Sequence, residues 1–83
     1  MYISYTFIIQ NTESERKVIN RLKIERAIKN LTQDDLAKLI GVSRQTINSI
    51  ETGRYVPSTI LALKISKVFE KQVNQIFELE DSD

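Results

Sequence analysis

The sequence predicts a mainly α fold of five short helices, with a short β-strand at the amino terminus that can pair with the carboxy-terminal segment. Apolar residues recur at the three- and four-residue spacing of amphipathic helices through most of the chain. Thr32 and Ser43 stand where helix N-caps are expected, and Pro57-Ser58 marks another helix start. Residues 1–10 instead alternate apolar and polar side chains, which is typical of a strand. Such a strand would pair with the carboxy-terminal segment or with a partner subunit, and the alternative is a loosely held extension.

The composition excludes several classes of function. The 83 residues contain no Cys and no His, which leaves no disulfide, no thiolate metal site and few candidates for a general base. With only two glycines, Gly41 and Gly53, the chain has no glycine-rich phosphate loop. We therefore expect neither an enzyme nor a protein that carries a cofactor or a metal.

Charge is distributed unevenly along the chain, although the net charge is only +1. All twelve basic residues but only five of the eleven acidic ones lie between Arg16 and Lys71, so this part carries a net charge of +7. The two ends are acidic. A basic centre between acidic ends suits a protein that meets phosphates with one face.

No stretch has the roughly 18 to 20 apolar residues that a membrane span requires. The apolar stretch from Tyr2 to Ile9 has neither a basic leader nor a small-residue cleavage site, which argues against a signal peptide. We expect a cytoplasmic protein with no membrane partner.

Residues 31–53 have the pattern of two short helices joined by a tight turn. A helix is predicted over 33–40, with Leu36, Ala37 and Ile40 on one face, and Gly41 follows at its end. A second is predicted over 44–52, with Ile47 and Ile50 on its apolar face. Polar side chains occupy the outer face of this second helix. The pattern predicts a helix-turn-helix, a motif that reads DNA.

The stretch LTQDDLAKLIGVSRQTINSIETGRYVPS resembles the Cro/CI-type (XRE-type) helix-turn-helix transcriptional regulators. It carries a TQ-x-x-LA opening, a GVS turn, an I-x-x-I-E-x-G closing and a Pro-Ser start to the next helix. The resemblance implies a compact, five-helix, lambda-repressor-like DNA-binding domain. It further implies a regulator, most often a repressor, that reads a palindromic operator in the major groove of double-stranded DNA as a homodimer. We divide the chain into an N-terminal extension (1–17), this domain (18–78) and an acidic tail (79–83).

The second helix of the motif is the predicted recognition helix. Arginine can donate two hydrogen bonds to guanine, and Asn or Gln can pair with adenine. Both kinds of side chain stand near the start of this helix, which is the end that enters the groove. By resemblance, Gln45 and Ser49 match base-reading positions, and Arg44 and Asn48 divide between base and phosphate. The predicted base-reading residues are Arg44, Gln45, Asn48 and Ser49.

Residues around the recognition helix are predicted to contact the phosphate backbone. By resemblance, Gln33 does so from the start of its helix, where backbone N–H groups favour an anion. The resemblance also implies that Arg26 pairs with Glu51 and is so aimed at the backbone, the alternative being two independent surface charges. The full predicted set is Gln33, Ser43, Thr46, Arg54, Tyr55 and Arg26. Tyr55 could equally be a packing residue.

Three further helices complete the prediction, over 20–29, 58–69 and 73–77. The first has Ile24 where the family is usually polar and Glu25 where it is usually apolar. The sequence therefore does not decide which side of this helix faces the core. A capping box at Thr12 would start this helix as early as Glu13. The resemblance instead favours a short extended piece at residues 18–19.

The helix over 58–69 has two apolar residues, Ile60 and Leu63, in excess of one buried stripe, which predicts either more core or a partner contact. The helix is followed by Glu70 and Lys71, where the family has a glycine. The wide apolar surface and the N-terminal strand keep a second function open. This alternative is an antitoxin-like or adaptor helix-turn-helix protein whose main ligand is another polypeptide. No small-molecule ligand is expected.

Overall fold

The computed structural model describes residues 18–79, so the predicted strand over 1–10 and residues 80–83 lie outside the described residues. Five helices follow a short strand, and a second strand follows them. The elements are β1 (Val18–Asn20), α1 (Leu22–Ile28), α2 (Gln33–Ile40), α3 (Arg44–Glu51), α4 (Thr59–Phe69), α5 (Val73–Ile76) and β2 (Phe77–Leu79). The mainly helical architecture is confirmed. No helix within residues 18–79 is long and apolar enough to cross a membrane.

The two helices of the motif begin and end where their capping residues predict. The Thr32 hydroxyl accepts a hydrogen bond from the backbone N–H of Asp35 at the start of α2, and Gly41 ends that helix in the left-handed region at φ +79°. The Ser43 hydroxyl accepts from the N–H of Thr46 at the start of α3. These short-range bonds fix the turn between α2 and α3, and with it the orientation of α3.

Asp35 completes a capping box, because its Oδ2 accepts the backbone N–H of Thr32 at 3.0 Å. This hydrogen bond, together with one that the carboxylate accepts from the Thr32 side chain, holds the pKa of Asp35 below its ordinary value of 3.8. A carboxylate with a lowered pKa in the folded state stabilises the protein above the pKa of the unfolded chain. That stabilisation disappears as the pH falls through the lower folded pKa.

We therefore expect Asp35→Asn to cost stability at neutral pH and to cost less as the pH drops below 3.8. The measurement is urea unfolding of both proteins at a series of pH values from neutral to strongly acidic. A stability difference that stays the same over the whole pH range would contradict this role of the Asp35 carboxylate.

The core lies where the helices converge, and its largest fully buried side chains come from α1, α2, α3, α4 and α5. They are Leu22, Leu36, Ile47, Ile50, Ile65 and Ile76. The predicted apolar faces of α2, α3 and α4 are confirmed. Phe77, which was predicted to end the last helix, instead begins β2 and packs at the edge of the core.

The side of α1 that faces the core is not the side that its apolar residues predict. Leu22 and Glu25 point inward, whereas Ile24 and Ile28 are exposed. Glu25 is only 6% exposed, and its Oε2 lies 2.9 Å from the Nζ of Lys71, which follows α4. Burying the carboxylate is tolerable because this ammonium group neutralises it. An ion pair across 46 positions of sequence thus sets which face of α1 meets the core.

Two short strands join the ends of the domain. β1 and β2 are antiparallel, with Val18 opposite Leu79 and Asn20 opposite Phe77. The extended piece predicted at 18–19 is therefore confirmed, and the first helix begins at Leu22. The Asn20 Nδ2 donates to the carbonyl of Ile50 at 3.0 Å, which ties the sheet to the end of α3.

Glu70 takes the place of the expected glycine after α4. It adopts the left-handed conformation itself, at φ +56° and ψ +42°, and its N–H bonds to the last turn of the helix. For a residue with a Cβ this conformation costs about 1 kcal/mol. The turn closes with the usual backbone geometry but with strain.

Glu70→Gly should therefore stabilise the fold, by up to about 1 kcal/mol, although the greater freedom of glycine in the unfolded chain offsets part of the gain. The measurement is the free energy of unfolding in urea. Glu70→Ala is the control, because it removes the carboxylate and keeps the Cβ. An equal gain in both variants would mean that the charge, rather than the backbone, limits stability at this turn.

Candidate nucleic-acid interface

The outer face of α3 presents the predicted base-reading residues to solvent. Arg44, Gln45 and Asn48 are exposed and Ser49 is half-buried, while Ile47 and Ile50 on the opposite face are fully buried. The helix is thus held by its apolar side and carries four hydrogen-bonding side chains on the other. Arg44 and Gln45 occupy its first two positions. This places the guanidinium and an amide at the end that enters the groove in this motif.

A chain of side-chain hydrogen bonds connects α1, α2 and α3 behind this face. The Arg26 guanidinium donates to Glu51 from Nε at 2.6 Å and from Nη2 at 3.1 Å. The Gln33 amide donates to the same carboxylate at 3.1 Å and to the Oδ1 of Asn48 at 3.2 Å. Glu51 is therefore the centre of the network, since it fixes one side chain from α1 and one from the start of α2.

The network determines which way two amides point. The carboxylate of Glu51 can only accept hydrogen bonds, so Gln33 must turn its NH₂ group towards it. Gln33 then gives its other N–H to Asn48, whose Oδ1 accepts. Among residues 18–79, both N–H groups of the Asn48 amide are left for other acceptors. Asn48 is accordingly oriented as a donor, which suits acceptor atoms on base edges or phosphates.

The same bonds limit what Gln33 can offer. With both amide N–H groups bound to Glu51 and Asn48, its side chain has only its oxygen left. Its backbone N–H, by contrast, is one of the first four of α2 and has no acceptor within the helix. In this conformation a phosphate contact by Gln33 would come from the backbone.

The predicted Arg26–Glu51 ion pair is present and largely buried, with side chains 14% and 6% exposed. Arg26 also donates from Nη1 to the carbonyl of Leu31 at 2.8 Å, so three of its five N–H groups are used. The hydrogen bond with Glu51 raises the pKa of Arg26 above its ordinary value. Arg26 thus first stabilises the junction of α1, α2 and α3, and it lines an open cleft together with Arg44.

The loop after α3 folds back on the recognition helix. The backbone N–H groups of Arg54 and Tyr55 both donate to the carbonyl of Ser49, at 2.9 and 3.2 Å. The side chain of Tyr55 is 44% exposed and lines a groove together with Gln45 and Ser49. The loop therefore holds Arg54 at the end of α3 opposite Arg44, and both arginines are exposed.

Ser43 and Thr46 lie together at the start of α3. Their hydroxyl oxygens are 3.0 Å apart and share a hydrogen bond, and the Ser43 hydroxyl also caps the helix. Both oxygens keep some hydrogen-bonding capacity, beside the free N–H groups of the first turn of α3. Of the other predicted phosphate-contacting residues, Gln33 and Arg26 line a cleft with Arg44, whereas Tyr55 lines a groove with Gln45 and Ser49.

The sequence pattern did not reveal the part of Glu51 in orienting Gln33 and Asn48. The resemblance pairs Glu51 with Arg26 only. Whether the Gln33 amide reaches Glu51 depends on the angle between α2 and α3. The sequence gives one weak signal of this role, which is a glutamine at the first position of one helix and a carboxylate at the end of the next.

Comparison with known proteins agrees with this geometry. The family model described as helix-turn-helix matches residues 22–76. An uncharacterized HTH-type transcriptional regulator of Methanocaldococcus jannaschii is 56% identical over 64 residues, which are 77% of this chain and 97% of the relative. A second such regulator, from Bacillus subtilis, is 44% identical over 64 residues, with the same two coverages.

Among solved structures, a candidate DNA-binding protein from Bacteroides fragilis superposes with a TM-score of 0.66 at 26% identity. The match covers 74% of this chain and 98% of that protein. The family match, the relatives and the fold all agree with a helix-turn-helix at residues 31–53. The chain belongs to the Cro/CI-type (XRE-type) helix-turn-helix family of DNA-binding transcriptional regulators.

Proposed function

We propose that this protein represses transcription by binding a palindromic operator as a homodimer, with α3 of each copy in the major groove. The observation that carries the proposal is the outer face of α3, which is exposed, rich in hydrogen-bonding side chains and braced from behind by the Arg26–Glu51–Gln33–Asn48 network. One such domain contacts too few base pairs for strong discrimination. Two copies related by a two-fold axis read two half-sites about 34 to 36 Å apart.

In this proposal the four outer residues of α3 divide the reading of bases. Arg44 donates to guanine O6 and N7. Gln45 pairs with adenine, which offers one donor and one acceptor in the major groove. Asn48, oriented as a donor, contacts an acceptor on a base edge or a phosphate, and Ser49 reads beside Gln45. The expected acceptors for Asn48 follow from its bond with Gln33.

The phosphate contacts position α3 without reading sequence. We assign them to the backbone N–H of Gln33, to Ser43 and Thr46, and to Arg54 and Tyr55 in the loop, with Arg26 as a further donor. Arg54 contributes the most accessible positive charge of this set. The role proposed for the whole protein places it in the cytoplasm, in contact with double-stranded DNA.

The proposal predicts duplex binding with a strong salt dependence. The full chain is titrated with labelled random-sequence duplex between about 50 and 200 mM salt, and the affinity should fall steeply and linearly on logarithmic axes. Arg54→Ala should flatten this slope, because it removes a phosphate contact. Failure to bind duplex even at the lowest salt, together with stoichiometric co-purification of another protein, would contradict the proposal and favour an antitoxin-like or adaptor role.

A further inference from the structure

An apolar groove lies between α4 and the two-stranded sheet. Its lining includes Val56, Leu63 of α4, and Phe77 and Leu79 of β2, and its volume is about 300 Å³. Val56, Leu63 and Leu79 are 61%, 56% and 55% exposed. Within residues 18–79, three large aliphatic side chains thus meet water at one place. Adjacent exposed side chains of this kind mark a contact surface.

The groove carries almost no polar chemistry with which to select a small molecule. Of the described residues that line it, only Glu78 is charged, and its carboxylate is bound to Arg21 at 2.8 Å. Thr59 adds a single side-chain hydroxyl. A small-molecule site needs several convergent polar groups besides apolar walls. The groove therefore suits an uncharged, apolar segment of polypeptide.

The beginning of this chain has the matching chemistry. Residues 1–12 contain no charged side chain, and Ile3, Tyr5, Phe7 and Ile9 recur at every second position. In an extended segment these four side chains lie on one face. Covering that face with an apolar surface is favourable, because it removes apolar area from water.

The groove also borders an edge to which an extended segment can add. Within residues 18–79, β1 and β2 pair only with each other, so each strand has one edge whose backbone groups are open to another strand. All three residues of β2 line the groove, whereas Val18 alone does so from β1. The open edge of β2 is therefore the one at the groove.

The part of the chain before β1 is long enough to reach this edge. β1 begins at Val18, which pairs with Leu79 at the end of β2. A segment that runs parallel to β2 along its open edge would end beside Leu79, two strand spacings or about 10 Å from Val18. Residues 10–17 connect Ile9 to Val18, and eight residues span up to about 26 Å when extended.

We propose that residues 3–9 of this chain fill the groove as a third strand beside β2, with the apolar face that contains Tyr5 and Phe7 packed against Leu63 of α4. The inference goes beyond the proposed function and does not depend on it, since none of the described lining residues belongs to α3. A groove filled in this way is closed to a protein partner unless the segment is displaced.

The first test is NMR spectroscopy of the isotope-labelled full chain. Nuclear Overhauser contacts are expected between the ring protons of Tyr5 or Phe7 and the methyl groups of Val56 or Leu63. An isotope-filtered experiment on a mixture of labelled and unlabelled protein then separates contacts within one chain from contacts between two copies. We expect the contacts to arise within one chain.

The second test is urea unfolding of matched variants of the full chain. Phe7→Ala should lower the folding equilibrium constant at least about tenfold, because it removes buried apolar area. Thr6→Ala is the control, since position 6 lies on the opposite face of an extended segment, and it should change the constant by no more than about twofold. Combining Phe7→Ala with Leu63→Ala should cost less than the product of the two separate losses, because both remove the same contact.

Three results would overturn the proposal. They are an absence of contacts between residues 3–9 and the groove, contacts that arise only between copies, and equal losses in Phe7→Ala and Thr6→Ala. The second of these would assign the groove to a second copy of the chain. Neither test uses DNA, so a failure here leaves the proposed operator binding in place. Conversely, a protein that shows these contacts and binds no duplex would refute the operator-binding role alone.

Discussion

Glu51→Ala should destabilise the domain by about 3 kcal/mol, because it leaves the largely buried guanidinium of Arg26 without its carboxylate partner. Such a loss is a large share of the roughly 5 to 15 kcal/mol that stabilises a native domain. Removing one partner of a buried pair costs more than the pair contributes, since the desolvated charge remains. The measurement is the free energy of unfolding in urea at neutral pH.

The chain has a matched control for this substitution. Glu78 also pairs with an arginine, at 2.8 Å from Arg21, but the two side chains are 46% and 42% exposed. Exposed pairs contribute about 0 to 1 kcal/mol, so Glu78→Ala should change stability little. Equal losses in the two alanine variants would contradict the view that burial makes the Arg26–Glu51 pair structural.

Gln45→Ala should change which base is preferred at one position of each half-site, with a loss of about 1 to 3 kcal/mol for the favoured base. Arg54→Ala should instead weaken binding to every sequence by a similar factor and lower the salt slope by about 1. The reason is that Gln45 is exposed on the outer face of α3, whereas Arg54 follows the helix in the loop.

The two variants serve as controls for each other, measured on one panel of duplexes that differ at single positions. Uniform losses from Gln45→Ala would contradict base reading by this residue. A change in preferred sequence from Arg54→Ala would show that the loop reads bases rather than phosphates.

Local signals predicted the helix-turn-helix well. Thr32, Gly41 and Ser43 act within one helical turn, so their capping roles could be inferred from sequence and are seen in the structure. The facing of α1 could not be inferred. It depends on Lys71, which neutralises Glu25 from the far end of α4. The apolar residues along α1 predict that Ile24 and Ile28, rather than Glu25, face the core. Only the contact with Lys71, which is distant in sequence, reverses this.

In the candidate site, too, some features could be predicted from the sequence and others could not. The outer positions of α3 follow from helical periodicity around Ile47 and Ile50, and the structure exposes the expected side chains. The orientation of the Asn48 amide, by contrast, depends on two hydrogen bonds of Gln33 between different helices. The turn at Glu70 is similar, because the sequence lacks the expected glycine and the backbone adopts the left-handed conformation nonetheless.

Selection of tight-binding sequences from a random duplex pool at physiological salt tests the central claim most directly. If the protein binds its operator as a homodimer through α3, the selection should recover a palindrome with half-sites one helical turn apart. The base preferences of this palindrome should change when Gln45 is replaced by alanine. Recovery of no motif, with only salt-sensitive general binding, would contradict sequence reading by α3.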